Sequence, residues 1–368
     1  MLVYSKSIGQ SSYEVEIVIR RFTVSRDDSI YEAWPDVTVA GSGRLVCVFA
    51  ECTHHADRGY TRMMYATSDD RGRTWSAKRP LTDPLHGEHR ETPFWDNPRI
   101  STLSDGRLCV VVDKHYPKSD YGVKVEVFML FSSDEGQSWS APALTSVRGG
   151  GLDQVIELVN RPHAGRWVLA CHQERSDGWK VDAYTTDDGG ATWQGPHPVA
   201  ARGDLKLCEP SVVELPGGQL ACFMREESKR GLDAFKCVSR DGGQTWTDPV
   251  EFPLPNCHRP IAGMLNSDRV LITHRFAQCG KGWLGWWAQN TFAALTDVES
   301  CLAESRNEAR TRIMPLDYDR SPVADGGYTG WVQYEDGEIY VVNYIVDDAP
   351  NAHIRGYSLR EDDFVLGG

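Results

Sequence analysis

No run of about eighteen apolar residues occurs in the 368-residue chain, so the sequence predicts no membrane-spanning helix. Positive charge is also scarce. Thirty-nine Lys and Arg face 52 Asp and Glu, a formal net charge of −13. That balance argues against a nucleic-acid partner held by phosphate neutralisation and against a basic membrane-surface binder, leaving room only for a small local basic cleft. Cys-x-x-Cys pairs are missing, and ten cysteines are too few for a disulfide scaffold. Cys47, Cys109, Cys222 and Cys237 lie in or beside apolar runs, as small buried hydrophobes do. The opening MLVYSKSIGQSSYEVEI has neither the apolar core nor the cleavage site of a signal peptide, so a cytoplasmic location is expected. Helical periodicity is rare too; the one candidate is Val298 to Arg310, rich in Glu, Ala and Arg.

What the chain does have is repetition. Four segments share the form Ser/Thr-x-Asp-x-Gly-x-Ser/Thr-Trp: SDDRGRTW, SSDEGQSW, TDDGGATW and SRDGGQTW, centred on Asp70, Asp134, Asp188 and Asp241. Each follows a β-rich stretch and reads as a hairpin turn. The Asp and Ser/Thr side chains bond the turn's own backbone, Gly supplies positive φ, and Trp packs beneath. These four aspartates are read as structural. A second repeat runs alongside: six times a turn residue (Gly43, Gly106, Gly165, Gly218, Asp268, Gly337) precedes an apolar strand such as RLVCVFAE or RLCVVVDKH. Counting back eight from the turn reaches Pro35, Pro98, Pro210 and Pro260, with Thr329 in the last repeat. The third repeat is out of register because of an insertion around Asn160 to Ala164.

Units of about 50–70 residues with four strands each predict an all-β fold, a single six-bladed β-propeller. One such sheet cannot bury both faces alone, so the blades stack into a ring. This overrides the two-to-three-domain prior that chain length suggests. Blades are expected at about 31–90, 91–148, 149–204, 205–255, 256–320 and 321–368, and residues 13–24 are expected to close the ring as the outer strand of the last blade. Residues just before the prolines should ring the mouth on the axis: Trp34, Asn97, Glu209, Arg259 and Tyr328, with Asp153 or Gln154 near the equivalent place in the third repeat. Carboxylate, guanidinium, phenol and indole together suit a pocket for an acidic sugar.

The Asp-turns on a six-fold β repeat resemble the sialidase (neuraminidase) superfamily, and the likeness spans nearly the whole chain. CEPSVVELPGGQLACFMRE is similar to the stretch carrying a general-base glutamate and one arginine of a carboxylate-binding triad, which implies Glu209 and Arg225. GGYTGWVQYEDGEIYVVNY is similar to the segment with the nucleophilic tyrosine, implying Tyr328. The acid/base aspartate falls in AECTHHADRGYTR, on Asp57, with His54 and His55 in reserve. Arg259 and Arg275 both remain open as a further arginine. The pattern departs at Ala33, where the family carries arginine two residues before the first inner proline, so another acidic or a neutral glycan end is as open as sialic acid.

The chemistry implied is coherent. An anionic group beside the reacting carbon repels a carboxylate nucleophile, and a neutral phenol activated by Glu209 replaces it. Arg225 can hold a carboxylate through two parallel hydrogen bonds. Trp34, Asn97, His55 and Asp96 complete the expected substrate contacts, Asp96 doubling as a candidate second acid. Trp283, Trp286 and Trp287 suit either sugar stacking or blade packing. His54, His55, His86, His89 and His258 lack metal-ligand spacing and read as hydrogen-bonded surface residues; neither metal nor cofactor is expected. Three activities fit: an exo-acting glycoside hydrolase on a glycan or oligosaccharide, a polysaccharide lyase on a uronate, or a carbohydrate-binding propeller without catalysis.

Overall fold

The computed structural model describes residues 2–8, 11–17, 19–89, 91–117, 124–175, 178–277 and 289–364. Six antiparallel sheets run from an inner to an outer strand in chain order. Their inner strands are Tyr31–Val39, Phe94–Thr102, Ile156–Glu157, Leu207–Glu214, Cys257–Met264 and Gly326–Gln333 for blades 1 to 6. Blade 1 makes its outermost strand from two pieces, Arg79–Pro80 and Leu85–His86. Blade 6 takes its fourth strand from the other end of the chain: Arg20–Ser25 pairs with His353–Arg360. Ring closure thus falls to residues 20–25, a shorter span than the 13–24 expected. The preceding Ser11–Ile17 pairs instead with Leu2–Ile8 as a separate hairpin. The helix expected over Val298 to Arg310 is one turn, Val298–Leu302, capped by the Asp297 carboxylate, followed by a 3-10 turn at Arg306–Glu308.

Apolar residues on both faces of the second strands explain the stacking. Along Leu108–His115, Leu108, Val110 and Val112 face the blade 1 core while Cys109 and Val111 face blade 3. Leu220, Cys222 and Met224 likewise face blade 3, and Ala221 and Phe223 face blade 5. Strands buried on both sides read as continuous apolar runs. Nearer the axis, polar side chains stitch blade to blade. Asp36 accepts from the Ile100 amide at 2.9 Å, Asp153 from Val212 at 2.6 Å and Ser211 from Ala262 at 3.0 Å. Arg99, 2% exposed, donates to the Thr329 carbonyl at 3.1 Å and lies 3.3 Å from Asp36.

The Asp-turns hold the outer hairpins. Asp134 accepts from the Ser132 hydroxyl at 2.8 Å, the Ser138 amide at 2.9 Å and the Ser138 hydroxyl at 2.5 Å. Asp70, Asp188 and Asp241 repeat the pattern. Trp75 of blade 1 packs on Tyr340 of blade 6, and Trp139 of blade 2 on Tyr65 of blade 1. Each turn therefore fastens its blade to the preceding one. Among the described residues no helix is long and apolar enough to cross a membrane, and no cluster of His, Cys, Asp and Glu could hold a metal ion.

Candidate active site

Inner-strand pairing skips where the prolines sit, for example between Ala33 and Asp36, Cys208 and Ser211, and His258 and Ile261. The residue before each proline takes a left-handed backbone: φ is 53° at Trp34, 32° at Asn97, 49° at Glu209 and 52° at Arg259. For a side chain with a Cβ this costs roughly 1–2 kcal/mol, and such strain gathers at functional sites. Blade 6 differs from the expected register. Its inner strand is one pair longer beyond the bulge, which spans Gly327 and Tyr328. Gly327, with φ 93°, takes the left-handed place and Tyr328 stands in the proline slot.

Tyr328, Glu209, Arg225 and Arg275 meet. The Tyr328 hydroxyl donates to Glu209 Oε1 and accepts from Arg225 Nη1 at 3.1 Å and Arg275 Nη2 at 3.2 Å. The Arg275 guanidinium also lies 4.3 Å over the phenol ring. Arg225 Nη1 reaches both Glu209 oxygens, at 3.0 and 3.1 Å, and the Arg259 amide donates to Oε2 at 3.1 Å. Burial alone would raise the Glu209 pKa, but Arg225, Arg259 and Arg275 outweigh it and hold the carboxyl well below its usual range. Burial raises the Tyr328 phenol, opposed by Arg275 and Arg225 and reinforced by Glu209, so it sits above its usual value. The resting pair is a neutral phenol bonded to a carboxylate, with the proton already aimed at its acceptor.

Other expected residues lie elsewhere. Arg259 is 1% exposed, and its guanidinium donates to the carbonyls of Gly151 and Leu152, pinning the loop that leads into blade 3. Arg275, not Arg259, approaches Tyr328. Trp34 is 3% exposed with the Arg58 guanidinium 3.7 Å over its ring, so it is a covered indole rather than an open sugar platform. Asp153 is buried in its bond to blade 4. Asp96 accepts from the Asn97 amide at 3.1 Å and lies 3.5 Å from Arg58 and 4.0 Å from His115. Asn97 itself is half-buried. At the start of the third strand of blade 1, Asp57–Ser68, Asp57 accepts from the Gly59 amide at 2.9 Å. His54 accepts from the Ala56 amide at 3.2 Å. His55 reaches across to Asp325 at 2.5 Å. Trp283, Trp286 and Trp287 lie outside the described residues.

Three contributors escaped the sequence reading. Glu227 accepts from Arg225 Nε at 2.8 Å and also from Nη2, so Nη1 is the corner that Arg225 turns toward the site. Asp325 accepts from the Tyr31 hydroxyl, from Tyr344 at 2.9 Å and from His55; its Asp-Gly-Gly context looks like ordinary turn chemistry. His258, expected at the surface, is 2% exposed and lies 3.2 Å from Arg275. A groove of about 800 Å³ between the rims of blades 6 and 1, lined by Thr23–Asp28 and Trp75–Lys78, shares no lining residue with this cluster.

A family model described as a BNR repeat-like domain matches residues 43–277, more than half of the chain. The sialidase of Clostridium perfringens is 20% identical over 227 residues, 52% of this chain and 59% of that protein. Sialidase-3 of Mus musculus is 24% identical over 160 residues, 40% of this chain and 37% of the relative. The matches thus span less than two thirds of these relatives. Among solved structures, a Dyadobacter fermentans protein of unknown function has a TM-score of 0.73 at 21% identity, covering 93% of this chain and 99% of that one. The intramolecular trans-sialidase of Ruminococcus gnavus has a TM-score of 0.69 at 14% identity, covering 92% and 96%. An α-L-arabinanase of Penicillium chrysogenum has 0.61 at 12%, covering 94% and 99%. All three share the propeller fold.

Proposed function

The chain belongs to the BNR repeat-like family, within the sialidase superfamily of propellers, and from that premise we propose that it is an exo-acting glycoside hydrolase removing an acidic terminal sugar. The observation that carries this reading is the Tyr328–Glu209 hydrogen bond, flanked on the phenol oxygen by Arg225 and Arg275. Tyr328 attacks the reacting carbon, its proton passes to Glu209, and the glycosidic bond breaks; water then releases the sugar from the tyrosine. The two guanidinium groups favour an anionic sugar and stabilise phenolate character as it develops. With Ala33 in place of a third arginine, the sugar's charge is met by these two.

Elimination from a uronate needs a free base facing the ring. His172 is held neutral, its pKa lowered to about 4 chiefly by burial, but its Nδ1 is the acceptor for the Glu209 amide at 3.4 Å. That engagement favours hydrolysis. The test is Tyr328→Phe, assayed on acidic oligosaccharides by mass spectrometry. We expect products heavier by one water from the unaltered chain and a loss of at least roughly 10³-fold in the variant, with an unchanged Tm. Full activity in the variant, or a product lacking the added water, refutes the reading.

A further inference from the structure

We infer that His55, oriented by Asp325, is the acid/base group of this site, an assignment that rests on the hydrolase reading. The two residues are far apart along the chain, on the blade 1 loop and just before the blade 6 inner strand, and the ring brings His55 Nδ1 to 2.5 Å from Asp325 Oδ2. Asp325 stands three residues ahead of Tyr328. Its other oxygen lies 3.9 Å from Arg275 Nη1, and Arg275 touches the Tyr328 oxygen at 3.2 Å. The His–Asp pair is thus coupled through one guanidinium to the nucleophile.

Asp325 is fixed on every side: Tyr31 and Tyr344 donate to it, and its side chain is 16% exposed. Burial would raise its pKa, yet the His55 bond, Arg275 and Tyr31 bring it down to about 2. An ionised carboxylate only accepts, so His55 Nδ1 carries a proton and Nε2 is the nitrogen that gains and loses one. The imidazole is 39% exposed and so open to solvent. It faces the Trp34 edge at 5.4 Å, and the charged groups around it are Asp325, Arg275 beyond that carboxylate, and Arg58 across Trp34. Asp57, two residues on, spends Oδ1 on its own turn.

The steps balance. Protonated Nε2 gives its proton to the glycosidic oxygen as the C–O bond breaks. The Tyr328 oxygen bonds the sugar carbon and the phenol proton goes to Glu209. In the second half Nε2 takes a proton from water, the water oxygen displaces Tyr328, and Glu209 returns the proton to the phenolate.

The test compares 4-nitrophenyl with methyl glycosides of N-acetylneuraminic acid and of glucuronic acid, using the full chain. A 4-nitrophenolate leaves without protonation, whereas methoxide does not. His55→Ala should lose 10²-fold or more on the methyl series, within roughly the range for general acid catalysis, and far less on the 4-nitrophenyl series. The alkaline limb of its kcat/KM profile should disappear. Asp325→Asn should shift the same way, and any change in Asp57→Asn should not depend on the leaving group. His55→Gln keeps a donor for Asp325 without a transferable proton and should match His55→Ala, which separates chemistry from folding. Equal losses on both series in His55→Ala, or a leaving-group pattern in Asp57→Asn, overturns the assignment while the hydrolase reading stands. No release from either sugar, or release undiminished in Tyr328→Phe, overturns both.

Discussion

Tyr328 and Glu209 share one hydrogen bond across 119 positions of chain, and both were legible because each is tied to a repeat. Glu209 precedes a proline, and Tyr328 sits near the matching place of the last blade. What the sequence hides is partnership. Glu227, Asp325 and His258 sit in unremarkable local contexts and matter only for what the fold brings to them. Arg275 and Arg259 show the converse: two arginines of equal sequence promise end in different places, one against Tyr328 and one fastened to carbonyls. Burial pushes the Asp153 pKa up to about 6, against the partial relief of the Val212 amide and of Arg99 and Arg259. A raised carboxyl pKa destabilises the fold above about pH 6, and that penalty vanishes below the unfolded value near pH 4. Asp153→Asn keeps an acceptor for Val212 without charge. It should raise Tm at pH 8, by an amount of order 1–3 kcal/mol in stability, with the gain shrinking toward pH 4 in a thermal scan.

At the level of strands and turns, the repeats carried most of the information. Four of the six inner strands follow from the spacing of turn residue and proline, and the Asp-turns follow from residue type alone. Two elements deviated for physical reasons. The strand expected at residues 13–24 divides, its second part pairing with blade 6 and its first with residues 2–8; alternation predicts a strand but not its partner. The blade 6 bulge is displaced by one residue because that inner strand gains a pair, which turn counting cannot detect. Hydrogen bonds from Ser138 and Ser132 lower the Asp134 carboxyl to about 2. Its contribution is complete above about pH 4 and is lost as pH falls through about 2. Asp134→Ala should therefore lower Tm by a few degrees at pH 7, with the difference closing near pH 2.

For the molecule as a whole, closure depends on joining two ends of the chain. Arg20–Ser25 completes blade 6; Val24 is 4% exposed, and Arg21 reaches the Asp317 carboxylate at 2.7 Å. Removing residues 1–18 should leave the ring closed and Tm nearly unchanged. Removing residues 1–26 exposes the edge of His353–Arg360 and should lower Tm sharply and broaden the transition, as calorimetry would read. Ring architecture was legible in sequence because every blade repeats the same solution. The candidate site was only half legible, because it is made where the repeats differ.

The backbone is kinked at Trp34, Asn97, Glu209 and Arg259, each just ahead of a proline. Glycine would sit at those four places without strain, yet the chain carries tryptophan, asparagine, glutamate and arginine there. The fold therefore accepts strain at its hub in order to place these four side chains there. Since the kink is the same under all four side chains, the hub behaves as a set of sockets. A new specificity can be written into one of them without redrawing the backbone that holds the others.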